Sequence, residues 1–360
     1  MNVRPASFRD LGRIEQLYRD NAVLEEEQGT APVLSADVPV PQRTLLRLWS
    51  SLSKTLSSLV PYAEQEDVLF VAEDSDGHIV GFIQAQAIPG RPRSWQILNL
   101  CTARGPATFS RESLLSALCA RGSEHGVNRF HVRLPLDHPL VPLFLEQGFT
   151  QYATEQILYR DDSGAAPRLA PPVPLPLRPA RRDDLGGIYL LYLRTTPSTI
   201  ANLEGASQKA WQASFQGGWP ARLGRDDVRH YVAEHPGITA WVGLRPASSA
   251  RPTLLALMCE GHDPAFREDV ISAALAQVPP GPLSSVLRHY DSELIRALQA
   301  RGFEIYGSQL LLVRDLAAKV RLRAVATTAK PVLVHAGVTQ AVDVPMTPAT
   351  AIRRTRSSPI

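Results

Sequence analysis

The sequence predicts two tandem mixed α/β units, each a mostly antiparallel sheet flanked by helices, because three blocks of residues recur in the same order in both halves. The first block opens each half: VRPASFRDLGRIEQLY at 3–18 and LRPARRDDLGGIYLLY at 177–192 share nine of sixteen positions, namely Arg4, Pro5, Ala6, Asp10, Leu11, Gly12, Ile14, Leu17 and Tyr18 with their partners. The second sets FVAEDSDGHIVGFI at 70–83 against YVAEHPGITAWVGL at 231–244. In both, β-rich apolar runs flank a short glycine-containing turn, which is the signature of a hairpin. The third sets QGFTQYATEQILYRD at 147–161 against RGFEIYGSQLLLVRD at 301–315.

Between these blocks the periodicity fills in the remaining elements. The first half reads as a strand at 2–4, helices at 9–20 and 42–59, and strands at 68–73, 79–87 and 95–101. A helix at 110–124 follows, with Leu114, Leu115 and Leu118 on one apolar face. A strand at 129–134, a helix at 140–147 and a closing strand at 151–159 complete the unit. The second half repeats this order, with helices at 183–193 and 226–229 and strands at 231–234, 238–244 and 253–259. It ends with a helix at 266–277, a strand at 283–288, a helix at 292–300 and a strand at 303–313. Each half is expected to close its own sheet and core, giving domains at 1–161 and 177–316. The proline-rich stretch DSGAAPRLAPPVPLP at 162–176 reads as a semi-rigid linker. The Ala/Val/Thr/Pro-rich residues 317–360 read as a poorly ordered tail, in which VLVHAGV at 332–338 is a candidate extra strand.

Composition narrows the function classes. A chain of 360 residues that is 44% hydrophobic and 20% charged can bury two cores of about 150 residues each. A formal charge of +3 spread over the chain gives no field to hold nucleic acid, and Arg353, Arg354 and Arg356 in the tail neutralise few phosphates. No apolar run of about 18 residues and no secretory leader stand out, so a cytoplasmic protein without membrane partners is expected. Cys101, Cys119 and Cys259 are odd in number and lack zinc-site spacing, which predicts buried thiols and no metal. Nucleophile-elbow, Walker-type and HExxH motifs are missing from the sequence.

The opening RPA..DL..I, the VAE..G.IVGF hairpin and the closing helix ended by Gly-Phe together resemble the GNAT superfamily of acetyl-CoA-dependent N-acyltransferases, over residues 2–160 and 177–314. The resemblance implies that the strand before the long helix splays from its neighbour and that the pantetheine arm of the coenzyme lies in the opening. It also implies a pyrophosphate loop, Q/R-x-x-G-x-G/A, at the next helix N-terminus, where glycines let backbone N–H groups approach an anion. Here Phe109 and Arg111 in the first half, and Ala265 and Arg267 in the second, fall where those glycines belong. The coenzyme candidates left are Cys101, Thr102, Arg104 and Gly105 in one half and Cys259, His262 and Arg267 in the other.

The family's tyrosine acid falls at Phe144 and Leu298, neither of which has a proton to give, with Asp137 and Asp291 at the family's asparagine position. Glu260, just past the central strand of the second half, is the candidate base, with Thr102 as its expected counterpart. Residues 21–42 and 195–219, the latter with Trp211, Phe215 and Trp219, are the expected acceptor walls. Glu73 and Glu234 recur at hairpin ends and read as support for the sheet. The function so implied is acetyl transfer from acetyl-CoA to a small-molecule or peptide amine. The alternative is a catalytically inactive GNAT-fold ligand-binding or scaffold module, with coenzyme binding weak or lost in both halves.

Overall fold

The two Arg-Pro-Ala blocks become the two outer edges of a single twelve-stranded sheet. The computed structural model describes residues 2–27, 67–88, 90–103, 108–161, 177–209, 211–212, 228–234, 236–247, 252–261 and 263–316. The expected helix at 42–59, the linker and the tail lie outside these residues. The first half supplies β1 (Asn2–Pro5), α1 (Leu11–Glu27), β2 (Asp67–Glu73), β3 (Ile79–Ile88), β4 (Arg91–Thr102), α2 (Thr108–Glu124), β5 (Arg129–Pro135), α3 (Val141–Glu146) and β6 (Thr150–Arg160). The second supplies β7 (Arg178–Pro179), α4 (Leu185–Thr195), α5 (Ser198–Glu204), β8 (Arg229–Glu234), β9 (Ile238–Arg245), β10 (Thr253–Cys259), α6 (Pro264–Ala276), β11 (Leu283–Arg288), α7 (Ser292–Ala300) and β12 (Glu304–Asp315). Arg229, expected to end a helix, instead begins β8.

The strand order β1-β2-β3-β4-β5-β12-β6-β11-β10-β9-β8-β7 corrects the expectation that each half closes its own sheet. The closing strands are exchanged: β12 pairs antiparallel with β5 of the first half, and β6 with β11 of the second. β6 and β12 then pair with each other and join the halves. Residues 1–319 form one compact unit. The sequence could not reveal the exchange, because the two closing blocks carry the same alternating pattern and either strand fits either half.

Two cores nevertheless persist on one face of the sheet. Leu114, Leu115 and Leu118 of α2 and Phe144 of α3 pack with Phe130, Val132 and Leu134 of β5, and with Leu310 and Leu312 brought in by β12. Val270 and Ile271 of α6 and Leu298 of α7 pack with Leu255, Leu257 and Leu287, and with Leu158 brought in by β6. Each core is thus finished by the other half's strand. The recurring Gly-Phe has the same role in both halves. Gly148 and Gly302 take φ of 79° and 84°, a left-handed turn that ends α3 and α7. Phe149 and Phe303 then bury at 2% exposure and return their N–H groups to the carbonyls of Phe144 and Leu298.

The opening block is explained by electrostatics. Arg4 holds Asp10 through Nη1 at 2.7 Å and Nη2 at 3.0 Å and reaches Glu73 at 2.6 Å. Arg178 repeats this with Asp184 at 2.7 and 2.8 Å and Glu234 at 2.7 Å. Asp10 and Asp184 also accept the N–H of Ser7 and Arg181, at 2.6 and 2.7 Å, which caps the short helical turn before α1 and α4. The bond from Arg4 holds the Asp10 carboxyl well below the ordinary carboxylate range. Arg-Pro-Ala…Asp therefore fastens the first helix to the edge hairpin, and Glu73 and Glu234 are its second anchor.

At the seam, Glu155 of β6 lies opposite Gln309 of β12 and accepts its Nε2 at 2.5 Å. Arg288 and Arg133 approach the same carboxylate at 3.1 and 3.5 Å. Burial alone would raise the Glu155 pKa, but these two guanidiniums and Gln309 outweigh it and hold it low. Arg288 also pairs with Glu204 at the end of α5, and Glu204 accepts the Tyr192 hydroxyl at 2.7 Å. Removing one partner of such a buried pair costs about 3–5 kcal/mol, since the other charge is left in low dielectric.

Candidate functional site

Each half opens between its two parallel strands. β4 and β5 are paired only from Ser94/Arg129 to Gln96/His131, and β10 and β11 only from Thr253/Leu283 to Leu255/Ser285. Beyond those positions the strands run on unpaired with each other, β4 to Thr102 and β10 to Cys259. A helix then starts past each strand end, at Thr108 and Pro264. Two equivalent openings result, each with a helix N-terminus beyond it, and their linings differ.

In the second half the helix end is already satisfied from within. Asp263 caps α6 by accepting the Ala265 N–H at 2.9 Å, and Pro264 brings no N–H. The carboxylate therefore stands where an anionic group would otherwise meet the helix dipole. Arg267 is buried and paired with Glu293, so it is not the free positive charge that the sequence suggested. Glu260 forms an ion pair with Nε of Arg194 at 2.8 Å. Burial pushes the Cys259 thiol up to about 11. His262 lies outside the described residues. Above the strands, the Trp241 ring occupies the space over Gly243, where an added Cβ would meet it at 2.8 Å. Trp241 packs edge-on against Trp211 at 5.7 Å and stacks on His230 at 5.7 Å. Trp211 thus belongs to the core, while Phe215 and Trp219 lie outside the described residues.

The first turn of the equivalent helix in the first half differs. α2 has no acidic residue in its first turn, and Arg111, the counterpart of Arg267, donates Nε to the Thr102 hydroxyl at 3.0 Å. No carboxylate pairs with Arg111 among the described residues. Burial holds this guanidinium below its ordinary pKa. Cys101 is buried beneath α1, and Asn21 of α1 donates Nδ2 to the Thr102 carbonyl at 3.0 Å. Arg104 and Gly105 lie outside the described residues. The register also corrects one equivalence: Ala103 and Glu260 make the same backbone bond, to Val80 and Thr239, so the counterpart of Glu260 is Ala103 and not Thr102.

Sequence reasoning missed the floor of the first opening. Gln84 pairs with Asn99 and Ala85 with Ile97, so β4 carries a bulge at Leu98, whereas Gly243/Ala256 and Leu244/Leu255 pair without interruption. On the sheet face opposite α2, the floor is built from Gln84 and Gln86 of β3, Gln96 and Asn99 of β4, and His131 and Arg133 of β5. Asn99 Nδ2 donates to Gln84 Oε1 at 2.8 Å. His131 is buried, with its pKa pushed down to about 3 by burial and by Arg91, Arg129 and Arg133, so its ring is neutral. The available signal was the run of three glutamines in strand patterns where the other half has Gly243, Arg245 and Leu254.

The expected acceptor wall of the second half also lies elsewhere. α5, within 195–219, packs Ile200 onto Ala153 and Leu311 of the exchanged strands. Its last carbonyls, of Asn202, Leu203 and Glu204, accept from Arg129 and Arg91 at the starts of β5 and β4. It is thereby held at the paired starts of β4 and β5. The positions of the family acid, Phe144 and Leu298, are buried core at 1% and 0% exposure. Asp74, Asp76 and His78 cluster in the exposed β2–β3 turn, where the Asp74 carboxylate accepts the N–H groups of Asp76 and His78 as a turn cap. Among the described residues no helix is long and apolar enough to cross a membrane.

No family model matches the chain, and no curated protein matches it. Solved structures do. A tandem GNAT protein from the clavulanic acid biosynthesis pathway aligns over 87% of this chain and 98% of its own at 15% identity, with a TM-score of 0.53. A GCN5-related N-acetyltransferase from Sphaerobacter thermophilus aligns over 87% and 95% at 14% identity, with a TM-score of 0.52. The glucosamine N-acetyltransferase region of a fungal multi-domain β-N-acetylglucosaminidase aligns over 87% of this chain and 38% of its own at 14% identity, with a TM-score of 0.54. With the repeat, the splayed parallel strands and the helix order, these likenesses establish that the chain has the tandem GNAT fold.

Proposed function

We propose that the chain is an N-acyltransferase working from its first half, with the second half as its structural partner. The observation that carries this reading is the contrast at equivalent positions. One opening has Arg111 bonded to a hydroxyl and a polar floor, while the other is closed by Asp263, the Arg267–Glu293 pair and Trp241. In this reading the α2 N-terminus and Arg111, with Arg104 and Gly105, hold the pyrophosphate of acetyl-CoA. The coenzyme supplies an acyl thioester for attack by an amine. With Phe144 at the acid position, the proton for the departing thiolate comes from water, and Thr102 helps to hold Arg111.

The second reading, an inactive GNAT-fold binding module, is favoured by that missing acid alone. One experiment separates them. Acetyl-CoA at about a hundredfold excess over Kd should stabilise the full chain by about 2.7 kcal/mol, a rise of several degrees in Tm. Arg111→Ala should abolish that rise and Arg267→Ala should keep it, from a lower starting Tm. No rise in the unaltered chain favours the inactive module, and a rise lost with Arg267→Ala alone moves the site to the second half.

A further inference from the structure

The floor of the first opening is uncharged but polar, and this specifies an acceptor. Four carboxamides, Gln84, Gln86, Gln96 and Asn99, share a face with the neutral imidazole of His131. Its one permanent charge, on Arg133, is spent on Glu155. Two of these groups are at least nine-tenths buried and have a polar atom without a partner among the described residues: Gln84, 2% exposed, at Nε2, and His131, 7% exposed, at Nε2. A buried donor left unmade is costly, and sheets rarely retain two within one patch unless something else bonds them. The second half, on the same scaffold, has Gly243, Ala256, Ser284 and Val286 in place of Gln84, Asn99, His131 and Arg133, so the fold itself does not demand this set of polar residues here.

We propose that this floor is the acceptor subsite, and that it selects an amine bearing neighbouring hydroxyl groups, as in an amino alcohol or amino sugar. A hydroxyl both donates and accepts, which matches an amide and a neutral imidazole. A second ammonium would find no free carboxylate on the floor among the described residues. Gln84 Nε2 donates to the acceptor's hydroxyl oxygen, and His131 Nε2 bonds a second hydroxyl. The proposal rests on the first half being the acyltransferase site.

The test measures acetyl transfer by thiol release with serinol and glucosamine, against glycine and putrescine, in the full-length chain, Gln84→Leu and His131→Phe. The hydroxylated amines should be the better substrates. Gln84→Leu should raise their KM about tenfold, the scale of one lost hydrogen bond, with kcat and the KM for acetyl-CoA within about twofold. Gln84→Leu removes an unpartnered donor but also the acceptor of Asn99 Nδ2, so its Tm should change little and the KM carries the test. An unchanged KM in both variants, or a lowered Tm with KM unchanged, makes these residues structural and overturns the proposal. Thermal shifts with serinol and glucosamine alone keep the two claims apart. If acetyl-CoA gives no shift, the acyltransferase reading fails. The subsite then stands only on an amine-induced shift that Gln84→Leu removes, and falls without one.

Discussion

The two halves hold the same scaffold with nearly the same atoms and line their openings with different ones. Arg4, Asp10 and Glu73 form the same ion triad as Arg178, Asp184 and Glu234, and the Gly-Phe pair ends α3 as it ends α7. At the openings, Gln84 faces Asn99 in one half where Gly243 faces Ala256 in the other, and Arg111 bonds a hydroxyl where Arg267 is locked to Glu293. In a tandem repeat, agreement between copies therefore marks what the fold needs. Disagreement at a fixed backbone position marks where one copy has a task that the other lacks.

The largest effect should come from separating the copies. Residues 1–165 keep β6 but lose both its neighbours, β11 and β12, and lose Leu310 and Leu312 from their core. We expect no stable monomer from this fragment. Two copies could exchange β6 for β12, because Glu155 and Gln309 each stand seven residues past the closing glycine of their half. That pairing sets Glu155 against the second copy's Glu155, two carboxylates in one buried seam, which is unfavourable. Glu155→Gln should therefore shift the fragment towards dimer in light scattering, with a cooperative melt by circular dichroism. A monomeric fragment with a cooperative melt would show that the halves are independent after all.

This seam also marks the limit of what the sequence could disclose. The fold class, the hairpins and the two cores followed from periodicity and from the three repeated blocks, because each half's residues report their own local environment. Which half each closing strand completes did not follow, since both strands carry the same alternation. The site was legible only at its negatives: Phe144 and Leu298 lack a proton, and neither helix entry has its glycines. Its positive features were hidden because a glutamine in a strand pattern reads as solvent-facing. Only the register reveals that Gln84 is buried beside a bulge.

A smaller, pH-dependent contrast separates Asp291 from Asp137, the residues at the family's asparagine position. Asp137 is exposed. Burial pushes the Asp291 carboxyl up to about 6, although Arg288 opposes it. A carboxyl whose folded pKa exceeds its unfolded value near 3.8 binds its proton more tightly when folded, so stability falls as pH rises from about 4 to 6 and stays lower above that. Asp291→Asn should remove the penalty, adding about 1–3 kcal/mol at pH 7.5 and nothing at pH 3.5. Asp137→Asn should change neither. Denaturant midpoints at the two pH values decide this, and an equal gain at both would assign the effect to helix capping and not to ionisation.

The smallest effect should come from Glu260. It is the acid that the sequence singles out past a central strand, and its pair with Arg194 is more than a third exposed on both sides. An exposed pair of this kind contributes at most about 1 kcal/mol. Glu260→Gln should therefore cost little stability and, with the reaction in the first half, leave turnover within about twofold. Loss of a positioned base costs about 100-fold or more. A drop of that size would mean that the Arg194 pair opens in the working enzyme and that the second half carries the chemistry. It would reverse the comparison: the polar floor would then be an ornament of the structural half, and Trp241, Trp211 and His230 would line the acceptor site.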